Sequence, residues 1–318
     1  MSVWKVRLVC VVTLIIFSCF SFSAGAASFQ RGKLRHDGLD RTYLYFIPPD
    51  TTKNSKLPLV LLLHDGLGSG AKVLRDTTLP SLAERHRFIL LAPDGVNETW
   101  NDGRDGYISN GKSDADDVGF LLTLLKSMIM NNNADPNHIF ITGISNGGMM
   151  AYRMICDRGD LFAGAAAFSA TMPRAWFRDC HSNTPVPLLM SIGTDDPLVN
   201  WNGGVAKRNG VDMASAMDTF TFFQVRAGCK STDRTEVPDL SPLDKSSVTQ
   251  LSGKSCAAPI VFFVVNGGGH QWLNHQGVTG LQVLLGNVNR DLDSGQVIWE
   301  FFQYLDRKTT KTNQKAVP

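Results

Sequence analysis

Gly143-Ile144-Ser145-Asn146-Gly147 stands between an apolar run, His138-Ile139-Phe140-Ile141-Thr142, and a run of helical character, Gly148-Met149-Met150-Ala151-Tyr152-Arg153-Met154. Read as strand, tight turn and helix, the stretch holds its serine on a sharp turn between the two elements. The glycines on either side lack a Cβ, so strand and helix can pack closely. Such a turn lifts the serine hydroxyl out of a sheet and aims the next backbone N–H at charge developing on a bound carbonyl. The bare Gly-x-Ser-x-Gly pattern decides little. With both residue types near 7% of positions, roughly one chain in ten of this size matches it by chance. The flanking elements and the partners further along are what decide.

Apolar runs on both sides of the elbow read as strands. Arg41 to Ile47 alternates and ends at Pro48-Pro49, whereas Leu57 to Leu63 is nearly continuous, as in a strand buried on both faces. Phe88 to Ala92, Phe162 to Phe168, Val186 to Ile192 and Ile260 to Val265 follow the same reading. Helical spacing marks Asp116 to Met130, Ala214 to Val225 and Ser294 to Leu305, with Ser294 as the expected N-cap of the last. Strands alternating with helices imply a mostly parallel central sheet with helices on both faces. With the elbow, that is the α/β-hydrolase fold. Residues 200–258 hold little sheet signal and read as an excursion over the active-site end, contributing to a substrate pocket. The rest, 27–318, reads as a single catalytic domain.

The first 26 residues read as a cleaved signal peptide: Lys5 and Arg7, then apolar Leu8 to Phe22, then Ala24-Gly25-Ala26. An uncleaved membrane anchor is the competing reading, but the apolar run is short for a span of roughly 20 residues. Export, to the periplasm or beyond the cell, leaves no membrane contact for the mature chain. Removing Lys5 and Arg7 takes the formal charge from +2 to zero. That balance argues against nucleic acid or an anionic membrane as an electrostatic partner. Cys10 and Cys19 leave with the signal, and Cys156, Cys180, Cys229 and Cys256 remain. In an oxidising compartment they are expected to pair as Cys156–Cys180 and Cys229–Cys256, each closing a short loop. No Cys-x-x-Cys or His-rich spacing suggests a metal, and no cofactor is implied. Oligomeric state stays open.

Sites in parallel sheets form at the carboxyl ends of strands, and three groups fall there. Ser145 follows one strand, Asp195 and Asp196 follow Val186–Ile192, and His270 follows Ile260–Val265 behind Gly267-Gly268-Gly269. The order Ser, Asp, His is the α/β-hydrolase order. A neutral serine hydroxyl is a poor nucleophile, so His270 takes its proton and one carboxylate holds the imidazole tautomer. Either aspartate can fill that role at this point. The oxyanion hole is expected from the N–H of Asn146 and one of Asp65, Gly66 or Leu67 in the Gly-rich loop His64 to Gly70. His64 itself reads as structural rather than a second base.

Several segments together resemble the polyhydroxybutyrate depolymerase-like and feruloyl esterase-like α/β-hydrolases. These are Ser145-Asn146-Gly147-Gly148-Met149-Met150-Ala151-Tyr152, Leu63-His64, Trp100-Asn101, Asp116 to Leu121, Gly193-Thr194-x-Asp196-Pro197-x-Val199 and Gly267-Gly268-Gly269-His270-x-Trp272. They run from about residue 40 to 305. The resemblance implies Asp196 as the acid, because the family pattern reads Gly-Thr-x-Asp-Pro, and it supports Cys229–Cys256. It also implies a secreted serine esterase, free of metal and cofactor, acting on polyhydroxyalkanoate, feruloyl-polysaccharide or short acyl esters. Asp65 stands where the family more often has glycine. No linker or polymer-binding module follows, which favours a soluble oligomer or small ester over an insoluble granule.

The leading expectation is therefore a carboxylic-ester hydrolase using Ser145, Asp196 and His270, with oxyanion donors from Asn146 and from Gly66 or Leu67. Trp100, Trp201 and Trp272 are candidate aromatic walls for a feruloyl ring or sugar. An acyltransferase or peptidase using the same triad is the alternative, and a non-catalytic binding protein on this scaffold a third.

Overall fold

The computed structural model describes residues 28–49, 55–104, 114–206, 210–275 and 284–315. The expected signal segment, with Cys10 and Cys19, lies outside them. The chain begins with β1 (Gln30–His36), β2 (Leu39–Phe46) and β3 (Leu57–Leu63), then the short helices α1 (Gly70–Arg75) and α2 (Leu79–His86). Next come β4 (Ile89–Pro93), α3 (Asp117–Asn131), β5 (Ala134–Ile144), α4 (Asn146–Arg158), β6 (Gly164–Phe168), α5 (Trp176–Asp179) and β7 (Leu188–Gly193). A small hairpin, β8 (Gly204–Val205) with β9 (Asp212–Met213), precedes α6 (Ala216–Arg226). The last elements are β10 (Ser231–Glu236), β11 (Ser247–Lys254), β12 (Ile260–Asn266) and α7 (Ser294–Lys315).

Ten strands form one sheet in the order β1-β2-β4-β3-β5-β6-β7-β12-β11-β10. Its centre, from β4 to β12, is parallel, and both edges are antiparallel. The near-continuous apolar run of β3 has a direct cause. Leu59, Leu61 and Leu63 face α3, α4 and α6 in one core, while Val60 and Leu62 face α1, α2 and α7 in the other. Alternation puts successive side chains on opposite faces, so a strand covered on both sides is apolar throughout. Each such buried aliphatic side chain contributes about 1.5–3 kcal/mol relative to an exposed one.

Two expectations are corrected. Most of residues 200–258 is not a cover over the active-site end. β10 and β11 extend the main sheet at its edge, pairing antiparallel with each other and with β12. Only the hairpin region stays at the carboxyl end, where Arg174 N–H donates to Asp212 O (2.8 Å) and Ala214 N–H to Met172 O (2.9 Å). The N-cap of α7 is Asp293 rather than Ser294, since its carboxylate accepts from Gln296 N–H at 2.9 Å. The Ser294 hydroxyl instead accepts from Leu273 N–H at 2.6 Å. The disulfides pair as expected, Cys156 with Cys180 and Cys229 with Cys256. The first ties α4 to the segment after α5, and the second ties the residues after α6 to the turn between β11 and β12.

Candidate active site

Ser145 leaves β5 with φ 55° and ψ −123°. A non-glycine residue held there costs about 1–3 kcal/mol and persists only where its surroundings force it. Here they do. Ser145 N–H donates to Phe168 O, and its carbonyl accepts from Met149 N–H, both at 2.9 Å. A Cβ on Gly147 would strike the carbonyls of Leu63 and His64, and one on Gly143 would strike the backbone of Gly147. The two glycines therefore let α4 sit directly against β3 and β5. Ser145 itself is half-buried.

Asp196 and His270 meet. His270 Nδ1 lies 2.7 Å from Asp196 Oδ2, and both side chains are buried. The other carboxylate oxygen, Oδ1, accepts from Leu198 N–H (2.8 Å) and Val199 N–H (2.7 Å). A carboxylate facing Nδ1 places the imidazole proton there and leaves Nε2 as the basic nitrogen. Asp195 does not take part in this pair. It accepts from Thr194 Oγ1 at 3.0 Å, while that hydroxyl accepts from Gly267 N–H at 2.8 Å.

Sheet order sets Ser145, which follows β5, apart from His270, which follows β12 beyond β6 and β7. The loop after β12 reaches back across them. Trp272 packs its ring on Phe168 of β6 at 4.8 Å, and Phe168 is the residue whose carbonyl holds Ser145 N–H. His270 N–H is fixed to Leu285 O at 2.6 Å. Trp272 is only 4% exposed. It anchors the histidine loop and is not a wall for substrate, contrary to expectation.

The second corrected wall is Trp100. It is 2% exposed, its Nε1 donates to His64 O (3.0 Å), and its ring lies 4.8 Å from the imidazole of His64. It braces the loop that begins at His64. Trp201 alone of the three keeps partial exposure, with its ring stacked on Phe262 at 5.8 Å. His64 uses both nitrogens on backbone: Nε2 accepts from Gly95 N–H (2.9 Å), so Nδ1 donates to Asp65 O (2.7 Å). Burial pushes its pKa below the ordinary histidine value, and it stays neutral. Asp65 turns to Lys72, whose Nζ lies 3.2 Å from both carboxylate oxygens.

Of the expected oxyanion donors, Leu67 is excluded because its N–H is spent on Glu98 O at 2.8 Å. The candidates that remain are Gly66 and Asp65, with Asn146. Asn146 is the first residue of α4, where the N–H has no carbonyl one turn back and the helix dipole favours negative charge.

Sequence reading assigned Asn146 only its amide, but its buried side chain has a second task. Oδ1 accepts from Thr99 Oγ1 (3.0 Å) and Trp100 N–H (2.7 Å), and Nδ2 donates to Trp100 O (3.0 Å) and Asp102 Oδ2 (2.6 Å). All four hydrogen-bonding functions of the amide are thus satisfied. Asp102 is held in turn by Arg104, at 2.6 Å from Nη2 to Oδ2. Asp102→Ala removes the carboxylate facing a buried guanidinium and the acceptor of Asn146 together. It is expected to destabilise the fold by about 3–5 kcal/mol, read as a shift of the urea midpoint, with kcat falling in whatever fraction stays folded.

Comparisons with known proteins agree with this frame. Residues 50–241 match the family model described as phospholipase/carboxylesterase. The chain is similar to "Putative esterase NocK" of Nocardia uniformis subsp. tsuyamanensis, 29% identical over 68% of this chain and 65% of that protein. It is similar to feruloyl esterase B of Piromyces equi, 25% identical over 72% of this chain and 42% of that one. It is also similar to a poly(3-hydroxybutyrate) depolymerase of Ralstonia pickettii, 27% identical over 49% and 35%. The chain thus spans less than two thirds of the length of these relatives. Among solved structures, an acetyl xylan esterase from Aspergillus awamori shares the fold, with a TM-score of 0.52 at 15% identity over 76% of this chain and 94% of that one.

Proposed function

The chain belongs to the phospholipase/carboxylesterase family, and we propose that it is a secreted serine hydrolase of carboxylic esters working through an acyl-enzyme on Ser145. One observation carries the reading: a buried Asp196–His270 pair at 2.7 Å, anchored through Trp272 and Phe168 beside a strained serine elbow.

Ser145 Oγ attacks the ester carbonyl carbon, and its proton passes to His270 Nε2. The carbonyl oxygen becomes an oxyanion held by the N–H groups of Asn146 and Gly66. Asp196 keeps Nδ1 protonated and stabilises the imidazolium. Collapse breaks the bond to the alcohol oxygen, which leaves with the proton from Nε2. Water then gives a proton to Nε2 and attacks the acyl carbon. The second collapse returns that proton to Ser145 Oγ and frees the carboxylic acid. The substrates in this reading are feruloyl or acetyl esters of polysaccharide and hydroxyalkanoate oligomers, and a feruloyl esterase and a poly(3-hydroxybutyrate) depolymerase among the relatives support it.

The test is a hydrolysis panel on the purified mature protein. It holds p-nitrophenyl esters of increasing chain length, methyl ferulate, hydroxybutyrate oligomers, an acetylated xylan, matched amides and acceptor alcohols, with fluorophosphonate labelling alongside. Ester hydrolysis with labelling at Ser145 is the expected result. Turnover of amides alone points to a peptidase, and ester exchange without hydrolysis to an acyltransferase. A folded protein that is silent and unlabelled leaves the reading without support.

A further inference from the structure

Asp65 brings a carboxylate into a loop whose amides must favour negative charge on the substrate, and none of the catalytic steps uses it. We propose that Lys72 is a positioning residue for the oxyanion site: its ammonium draws the Asp65 carboxylate back against α1 and cancels its charge beside the donors. The proposal rests on the serine esterase reading above and adds a residue to its machinery.

Position comes first. A Cβ on Gly147, two residues past Ser145, would strike His64 O and Leu63 O, so the loop after β3 is set directly against the serine elbow. His64 O and Asp65 N–H belong to one peptide unit, and Asp65 therefore begins one peptide from that contact. The next unit carries Asp65 O and Gly66 N–H, which point opposite ways across a trans bond. Asp65 O accepts from His64 Nδ1 (2.7 Å) and from Gly68 N–H (3.2 Å), which fixes the plane of this unit and with it the direction of the Gly66 amide. The Asp65 side chain thus leaves the backbone between the two remaining candidate donors of the loop, its own N–H and that of Gly66.

The carboxylate does not stay there. It folds back over the turn, where a Cβ on Gly68 would strike Asp65 Oδ1, so this glycine makes the room. Lys72 Nζ meets both Asp65 oxygens at 3.2 Å and Asp76 Oδ2 at 2.8 Å. The stem of Lys72 is fixed in the first turn of α1, where its N–H donates to the Ser69 hydroxyl at 3.2 Å. Just past the other end of α1, Asp76 O lies 3.4 Å from Nδ1 of His275, in the loop that carries His270. Lys72 stands between the two loops. Burial lowers its pKa, but the carboxylates of Asp65 and Asp76 raise it by more, and the ammonium stays charged through the neutral range.

Charge decides the role. An oxyanion site works through donors aimed at developing negative charge where water is excluded. A bare carboxylate on the residue between those donors opposes that charge, the more so where little water screens it. A glycine at position 65 would bring no charge. This chain has a carboxylate and, seven residues on, the cation that neutralises it. Stability does not account for the pair, since ion pairs as exposed as this one contribute little.

A double-mutant cycle on p-nitrophenyl acetate, with thermal unfolding alongside, tests the pairing. Lys72→Met is expected to lower kcat about 10-fold with KM within about twofold, less than the roughly 10²–10³ that loss of an oxyanion donor costs. In an Asp65→Asn background, which keeps the amide and removes the charge, the same substitution should cost no more than about twofold. Lys72→Arg should retain most of the wild-type kcat, and Asp76→Asn should not rescue Lys72→Met. Equal losses from Lys72→Met in both backgrounds, no loss in either, or rescue by Asp76→Asn overturns the proposal. If Lys72→Met does not fold, Lys72→Gln takes its place in the same cycle. A wild-type protein that hydrolyses no ester and takes no fluorophosphonate at Ser145 removes the esterase reading and this role with it. An active, labelled wild type beside an unchanged Lys72→Met variant leaves that reading standing and overturns the role alone.

Discussion

Ser145→Ala is expected to lower kcat for p-nitrophenyl acetate by a factor on the order of 10⁶, as loss of the nucleophile does when serine and histidine act as a unit. Its stability should stay within about 0.5 kcal/mol of the parent, because alanine keeps the Cβ and the backbone bonds to Phe168 and Met149 need no hydroxyl. Ser145→Gly separates the two properties further. Glycine adopts φ 55° without steric cost, so this variant should be as inactive as Ser145→Ala and more stable by about 1 kcal/mol. Denaturant unfolding of the three proteins beside their initial rates checks both halves. An Ala variant that keeps activity removes Ser145 as nucleophile. A Gly variant less stable than Ala means the turn is relaxed rather than strained.

Legibility of the fold from sequence followed burial. β3 and β4 could be read because both faces are covered, which forces an apolar residue at every position. β10 could not: Ser231 to Glu236 is exposed throughout and carries no periodicity, and only backbone pairing with β11 makes it a strand. Polar residues 231–236 therefore carry no strand signal, and the sequence points to an excursion over the active-site end where the structure has a sheet extension. At the site, the position of each group along the chain was legible but its direction was not. Trp100 and Trp272 lie beside the motifs, yet one indole turns onto His64 and the other into the core on Phe168. The amide of Leu67 is taken by Glu98, 31 residues away in sequence, which no local pattern signals. The network of Asn146 with Thr99, Trp100 and Asp102 spans 44 to 47 positions, and no local spacing announces it.

The two aspartates after β7 offer the sharpest contrast between neighbours. Asp196→Asn is expected to lower kcat about 10⁴-fold, and the reason lies in how the side chain is held. Leu198 and Val199 both donate to Oδ1 of Asp196, at 2.8 and 2.7 Å. An asparagine must place its carbonyl oxygen there to keep those bonds, which turns its NH₂ toward Nδ1 of His270, now 2.7 Å from Oδ2. An NH₂ group donates only, so the imidazole must accept through Nδ1 and carry its proton on Nε2. Nε2 can then no longer take the proton of Ser145. Asp195→Asn meets no such conflict, since an amide oxygen can still accept from Thr194 Oγ1 as the carboxylate does. As an exposed substitution it should change stability by less than about 0.5 kcal/mol and kcat by no more than about twofold. Both variants are compared on p-nitrophenyl acetate with thermal unfolding as control. Equal losses of activity in two folded proteins would sink the assignment of Asp196, whereas a gap of several orders of magnitude follows from its two amide bonds and its position against His270.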